Sequence, residues 1–260
     1  QNWTYVKGEL SREQFERLFP SSEAGEGGNI KKAEGAEPVA GGAAAVPGPR
    51  PADAAAAQAA KEPEHAALAK VWPAIARDWR LKQLQYTWLR AVAGRHCDFW
   101  QVTQDGLDWA MEAHGLDDTA TRARLLALYW ELAAFPEVAA MLTALKARGA
   151  STAILSNGSL KMLDGAVSSA GIGHLLDAVL SVDQVGVFKP HESVYDLVCD
   201  RFGGTSKDVL FVSSNGWDAA GAAGYGFQTA WVNRAGEPVD RLYAKPHHIL
   251  SDLTTIPEFI

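Results

Sequence analysis

The sequence predicts an α/β protein, a parallel sheet with helices on both faces preceded by a helical unit of its own. Three observations carry that prediction. After residue 135, short apolar runs alternate with helical periodicity across short connections, the pattern of strand–helix–strand crossovers. Between 64 and 135, apolar residues recur at three- and four-residue steps with no strand between them. From 21 to 62 the composition turns to Gly, Ala, Pro and Glu, most densely in 41–52, with few large apolar side chains to offset the entropy of ordering. The expected organisation is an extension and linker over 1–62, a helical unit over 63–135 and a sheet domain over 136–260.

Each element follows from its local pattern. Ser11 and Gln14 have capping-box spacing, and Phe15, Leu18 and Phe19 share a face, so 1–20 should hold one short helix that needs a partner surface. The helical unit should hold four helices. The first carries Leu68, Val71, Trp72, Ile75 and Trp79, with Pro73 as a kink or boundary, and the others span 81–92, 102–114 and 120–132. Then come helix 136–148, strand 152–155, helix 160–170, strand 178–182, helix 192–202, strand 209–212, helix 216–225 and strand 229–232. In such sheets chemistry gathers at the carboxyl ends of the strands.

A chain of 260 residues can bury one substantial core, or a core and a small second domain. A net charge of −7 and a pI near 5.5, with Lys and Arg scattered, give no electrostatic footprint for nucleic acid. Cys97 and Cys199 lack CxxC spacing and read as buried free thiols. No apolar run reaches the ~18 residues of a membrane span, and no leader pattern opens the sequence, so a soluble cytoplasmic protein is expected. The nine tryptophans read as core and His247-His248 as loop.

Three segments put polar groups at predicted strand ends. Ser156-Asn157-Gly158 offers a hydroxyl, an amide and a close backbone approach suited to a carboxylate or oxyanion, although Ser and Asn are equally common helix caps. Lys189, between Val187-Phe188 and Pro190, places an ammonium at the same edge, where it can hold an anion or a carboxylate; a solvated surface lysine is the bland alternative. Ser213, Asn215 and Asp218 set one acid among neutral hydrogen-bonding groups, poor for Mg²⁺ and suited to orienting or activating a water, with helix capping as the alternative. Arg80 sits in an amphipathic helix, where periodicity alone turns an arginine toward water.

Taken together, Lys82 to Arg90 (KQLQYTWLR), Asp98 to Thr103 (DFWQVT), Ile154 to Ser159 (ILSNGS), Phe188-Lys189-Pro190 and Phe211 to Asp218 (FVSSNGWD) resemble the L-2-haloacid (type II) dehalogenases of the haloacid dehalogenase superfamily. The resemblance runs from about Ala66 to the carboxyl terminus. It implies a Rossmann-like parallel core with an inserted four-helix cap. It also implies a metal-independent hydrolase, without cofactor, in which an aspartate displaces halide from C2 of an (S)-2-haloacid and water hydrolyses the ester to the (R)-2-hydroxyacid. By matching position, Ser156 and Asn157 would hold the substrate carboxylate and Arg80 would receive the halide. Lys189 would pair with the nucleophile, Tyr195, Ser213 and Asn215 would support by hydrogen bonds, and Asp218 would place or activate the water. Leu84, Phe99 and Trp217 would line an apolar halogen pocket.

The sequence departs from that family at its start. The first strand should end in a motif of the form Asp-x-Tyr-Gly-Thr-Leu-Phe-Asp just before Asp53, and the stretch there reads AAVPGPRPA with no aspartate anywhere before Asp53. No nucleophile is assigned. The first core strand is expected to be replaced by a disordered extension, with a gap or exposed edge in the sheet and a site made more electropositive by the missing carboxylate. The expected ligand is a small 2-halo or 2-hydroxy carboxylate, without nucleic acid, membrane or metal. A homodimer and a protein partner for residues 10–20 stay open, as do two other readings, a catalytically dead interaction protein and a small-molecule phosphatase.

Overall fold

The computed structural model describes residues 4–7, 51–62, 65–130 and 134–260. The short helix expected around 11–19, and with it the docking segment 10–20, lies outside them. Six strands form one sheet in the order β3-β2-β1-β4-β5-β6: β1 Thr4–Lys7, β2 Ser151–Ser156, β3 Ala178–Ser181, β4 Val209–Ser213, β5 Gln228–Val232 and β6 His248–Leu250. All neighbours run parallel except β1, which is antiparallel to both β2 and β4.

The expected gap in the sheet is therefore closed. Strands β2 and β4 are buried along almost their whole length, and buried backbone N–H and C=O groups need partners. Thr4-Tyr5-Val6-Lys7 supplies them from a β-branched and aromatic stretch that suits a strand. Thr4 pairs with Ile154 and Val212, while Lys7 pairs with Ser151 and Val209. Strand β6 is also new, because a three-residue HIL run in the shadow of His247-His248 is too short to stand out from a loop.

Alternation along β4 divides the core. Leu210 and Val212 pack on one face with Met141, Leu142 and Val232, and Val209 and Phe211 pack on the other with Leu155, Phe188, Tyr195 and Phe227. Each such side chain, fully buried, contributes about 1.5–3 kcal/mol of transfer free energy.

The helical layer differs from expectation in two ways. Residues 51–59, read from composition as linker, form helix α1 Pro51–Ala59. Ala52, Ala55, Ala56 and Ala59 make a buried stripe at helical spacing against Leu68, Ile75 and Leu125. Alanine loses no side-chain entropy in a helix, so a run of it needs only a surface to pack on. After the short α2 Ala66–Ala69 comes α3 Trp72–Ala93, one continuous helix where two were expected, because nothing between Trp79 and Lys82 breaks it; Pro73 lies in its first turn. The helix stops at Gly94, whose φ of 62° is left-handed.

Helices α4 Phe99–Ala113 and α5 Thr119–Leu128 complete the layer. Gly106 lets α4 approach α3 closely, since a Cβ there would lie 3.3 Å from both the Trp79 ring and the Trp79 carbonyl. Trp79 Nε1 donates to Thr103 O across the same contact at 2.8 Å. The remaining helices are α6 Val138–Ala147, α7 Leu160–Ala170, α8 Glu192–Phe202 and α9 Gly216–Tyr225. Cys97 and Cys199 are half-buried rather than buried, because both sit at the margin of the core under the sheet. No helix among the described residues is long and apolar enough to cross a membrane.

Candidate active site

The carboxyl ends of β2 and β4, the inner faces of α3 and α7, the start of α4 and the turn after α5 line a cavity of about 130 Å³. Arg80, Ser156, Asn157, Lys189, Asn215 and Asp218 all line it, so four separate sequence motifs meet in one place. Leu84, Phe99 and Trp217 also line it.

Lys189 and Asp218 form the floor. Lys189 is 2% and Asp218 1% exposed, and the Lys189 Nζ donates to Asp218 Oδ2 at 3.2 Å and to Leu155 O at 2.9 Å. Burial lowers the pKa of Lys189, and the Asp218 carboxylate opposes that shift. Ser213 Oγ donates to Asp218 Oδ2 at 3.1 Å and Tyr195 OH to Oδ1 at 3.3 Å, so three donors converge on one carboxylate. Burial, with the Asp218 charge adding to it, raises the Tyr195 phenol well above its ordinary value and keeps it a donor. The expected unneutralised ammonium is thus corrected: the Asp218 carboxylate balances Lys189 from the first turn of α9.

The rim is held by backbone geometry. Ser156 Oγ accepts from Gly158 N at 3.0 Å, closing the turn that ends β2, and Asn157 Oδ1 accepts from Lys189 N at 3.0 Å, tying that turn to the Lys189 segment. Neither caps α7, whose cap position is Ser159. Asn215 occupies the cap position of α9 without making a side-chain cap bond. Its Oδ1 instead accepts from Arg80 Nη2, a charge-assisted bond that ties α3 to the sheet edge. Arg80 therefore faces the cavity rather than solvent.

Ser213 and Tyr195 do not line the cavity; they stand behind Asp218 and act through it. Sequence reasoning missed Gln83, Tyr129, Trp130 and Met162, which do line it. Gln83 was findable, three residues beyond Arg80 on one helix face; its Nε2 donates to Thr103 Oγ1 at 2.9 Å and Tyr129 OH at 3.1 Å. The others come from the turn after α5 and from α7 and depend on tertiary folding. Trp217 lines the cavity, and its buried indole N–H has no acceptor among the described residues. Asp218 is the one carboxylate among the described lining residues.

A Rossmann-like sheet with helices over its carboxyl edge, and a lysine–aspartate pair beneath that edge, define the class. The family model described as haloacid dehalogenase-like hydrolase matches residues 27–226, and the chain belongs to that family. Within it the chain is a member of the (S)-2-haloacid dehalogenase group. It is 44% identical to (S)-2-haloacid dehalogenase 1 of Pseudomonas sp. (strain CBS-3) over 183 residues, 70% of this chain and 81% of that protein. It is 38% identical to (S)-2-haloacid dehalogenase 4A of Burkholderia cepacia over 184 residues, 70% of this chain and 80% of that one. The structure of L-2-haloacid dehalogenase from Xanthobacter autotrophicus with chloropropionic acid covalently bound superposes with a TM-score of 0.69 at 35% identity, covering 80% of this chain and 92% of that one.

Proposed function

We propose that the cavity binds a short 2-halo or 2-hydroxy carboxylate, and that the chain is built for conversion of an (S)-2-haloacid to an (R)-2-hydroxyacid and halide. The observation that carries this is the meeting of Arg80, Asn157, Lys189 and Asp218 around one small cavity with apolar walls. Ser156 and Asn157 hold the carboxylate of the ligand. Arg80, with the unpartnered Trp217 N–H, receives the departing halide, and Leu84 and Phe99 exclude water from the carbon–halogen bond.

The chemistry divides into two halves. In the first, a carboxylate oxygen attacks C2, halide leaves with the bonding pair, and an ester forms. No aspartate precedes Asp53 to perform that attack. In the second, a water attacks the ester carbonyl. Asp218, fixed by Lys189, Ser213 and Tyr195, takes the proton of that water. The chain carries the groups for the second half and for ligand binding, and the first half needs a carboxylate at the sheet edge. Neutral Ser213 and Asn215 beside a single acid fit this reaction better than a Mg²⁺-dependent phosphatase, which wants several hard anionic oxygens.

Chloride release from (S)-2-chloropropionate tests the reading, in this chain and in a variant whose residues 1–53 are replaced by a strand ending in Asp-x-Tyr-Gly-Thr. Release by the variant alone is expected. Silence from both, with no L-lactate binding by calorimetry, overturns it. Residues 63–135 would act as the cap and 136–260 as the core, in a cytoplasmic setting. The exposed stripe of Leu81, Leu89 and Val92 on α3 supports a second copy of the chain as partner. A monomer in sedimentation at micromolar concentration would remove that last element.

A further inference from the structure

Lys189 is the one buried lysine among those whose burial is described. Its Nζ is bonded to Cε and donates to Leu155 O and to Asp218 Oδ2. An amine nitrogen has four tetrahedral positions, so a neutral Nζ that keeps both hydrogen bonds carries its lone pair in the fourth. Lys189 lines the cavity together with Ser156 and Asn157, so a carboxylate held by those two residues would have Lys189 as its neighbour. Burial lowers the Lys189 pKa, the direction a nucleophilic lysine needs, while the Asp218 carboxylate opposes the shift. A hydrogen-bonded carboxylate stands ready to take the proton. Among the described residues, Asp218 is the carboxylate bonded to that ammonium.

We propose that Lys189 forms an imine with small 2-oxo carboxylates bound in this cavity. The inference rests on the carboxylate-binding reading above. Asp218 first accepts a proton from the Lys189 ammonium across their hydrogen bond, and rotation about Cε–Nζ then turns the freed lone pair away from Asp218 while N–H groups face Leu155 O and Asp218. The Nζ lone pair then adds to the C2 carbonyl carbon, and the carbonyl π pair moves to oxygen. A proton passes from nitrogen to that oxygen, giving a carbinolamine. Asp218 returns its proton to the hydroxyl, water leaves, and the nitrogen lone pair closes the C=N bond as a protonated imine. One ammonium and one ketone become one iminium and one water, with no oxidant or reductant. Tyr195 and Ser213 hold Asp218 in place through both proton transfers.

The test uses pyruvate as the probe with the full chain. Sodium borohydride reduces any imine to a stable secondary amine, which intact mass and peptide mapping then locate. The expected result is one reduced pyruvate per chain on the peptide containing Lys189, at least about tenfold above the exposed Lys161 and Lys207 in the same sample. Lys189→Arg should abolish it, and the within-sample ratio keeps the result readable if that variant folds poorly. Asp218→Asn should slow trapping while leaving its position unchanged. Equal labelling of all lysines overturns the proposal. If pyruvate and L-lactate both bind by calorimetry but nothing is trapped on Lys189, imine formation falls while the carboxylate-binding reading stands. If neither binds, both fall.

Discussion

Lys189 Nζ and Asp218 Oδ2 lie 3.2 Å apart with side chains 3% and 1% exposed, a fully buried ion pair joining the loop before α8 to the first turn of α9. Removing one member leaves an uncompensated buried charge, which costs about 3–5 kcal/mol, whereas replacing both with apolar residues costs much less. Asp218→Ala should therefore lower the urea midpoint more than Lys189→Met with Asp218→Leu together. Equal or additive losses in the double variant would contradict this account.

The same pair sets a pH dependence. Burial lowers the folded-state pKa of Lys189, while the unfolded chain keeps the ordinary value of about 10.4. Between the two the unfolded state binds more protons, so this group's contribution to stability rises with pH and is lost as pH falls through the folded value. Urea melts from pH 7 to 10 should show wild type gaining relative to Lys189→Met; a flat difference would mean that the ammonium does not titrate early.

Asp177 gives the opposite test at acid pH. Burial pushes its pKa up, but the Lys146 Nζ at 2.7 Å and the Thr152 N–H at 2.8 Å outweigh it, and the net shift is down. Its stabilisation is therefore present above the unfolded value of about 3.9 and disappears as pH falls through the folded one. The pair is about a third exposed, so Asp177→Asn should cost no more than about 1 kcal/mol at pH 7 and nothing near pH 2. A difference that grows at low pH would be the wrong sign.

Two glycines of α9 should answer alanine in opposite ways. At Gly221 a Cβ would meet the buried Tyr195 hydroxyl at 2.7 Å and Pro190 at 2.9 Å, so Gly221→Ala should cost about 1–3 kcal/mol and move the phenol away from Asp218. At Gly224 the clash is with the ring of Tyr243, which is 74% exposed and can swing aside. Gly224→Ala should then gain part of the ~1 kcal/mol helix-propensity difference. Thermal melts that rank the two variants the other way would refute the packing argument.

Arg80 is expected to contribute to ligand affinity more than to folding. A hydrogen bond to a charged group is worth about 1.5–3 kcal/mol, so Arg80→Ala should weaken L-lactate binding about ten- to a hundredfold, with a smaller effect on melting temperature from the lost bond to Asn215. Unchanged affinity by calorimetry would remove Arg80 from the ligand's surroundings.

The sheet half of the molecule was legible because its strands are apolar runs separated by helices with clear caps. Helices α7, α8 and α9 begin and end where the pattern puts them. The site was legible where motifs follow strands, as at Ser156, Lys189 and Asp218. Arg80 needed the family resemblance, since nothing local says that Asn215, more than a hundred residues away, will accept its hydrogen bond. Helix α1 was hidden because alanine has no side chain large enough to signal burial. Strand β1 was hidden because its role comes from what flanks it, two buried strands without a partner between them.

The direction of β1 also decides what this chain can present at its own active edge. The strand is entered from the side where Ser156 and Ser213 stand and left beside Ser151 and Val209. A parallel strand would deliver its final residues to the ligand, and this one carries the chain away from it. Enriching the stretch after Lys7 with acids would therefore not extend the strand toward the cavity. A group intended for C2 of a substrate must come from the Thr4 end, or from a strand of opposite polarity that displaces this one.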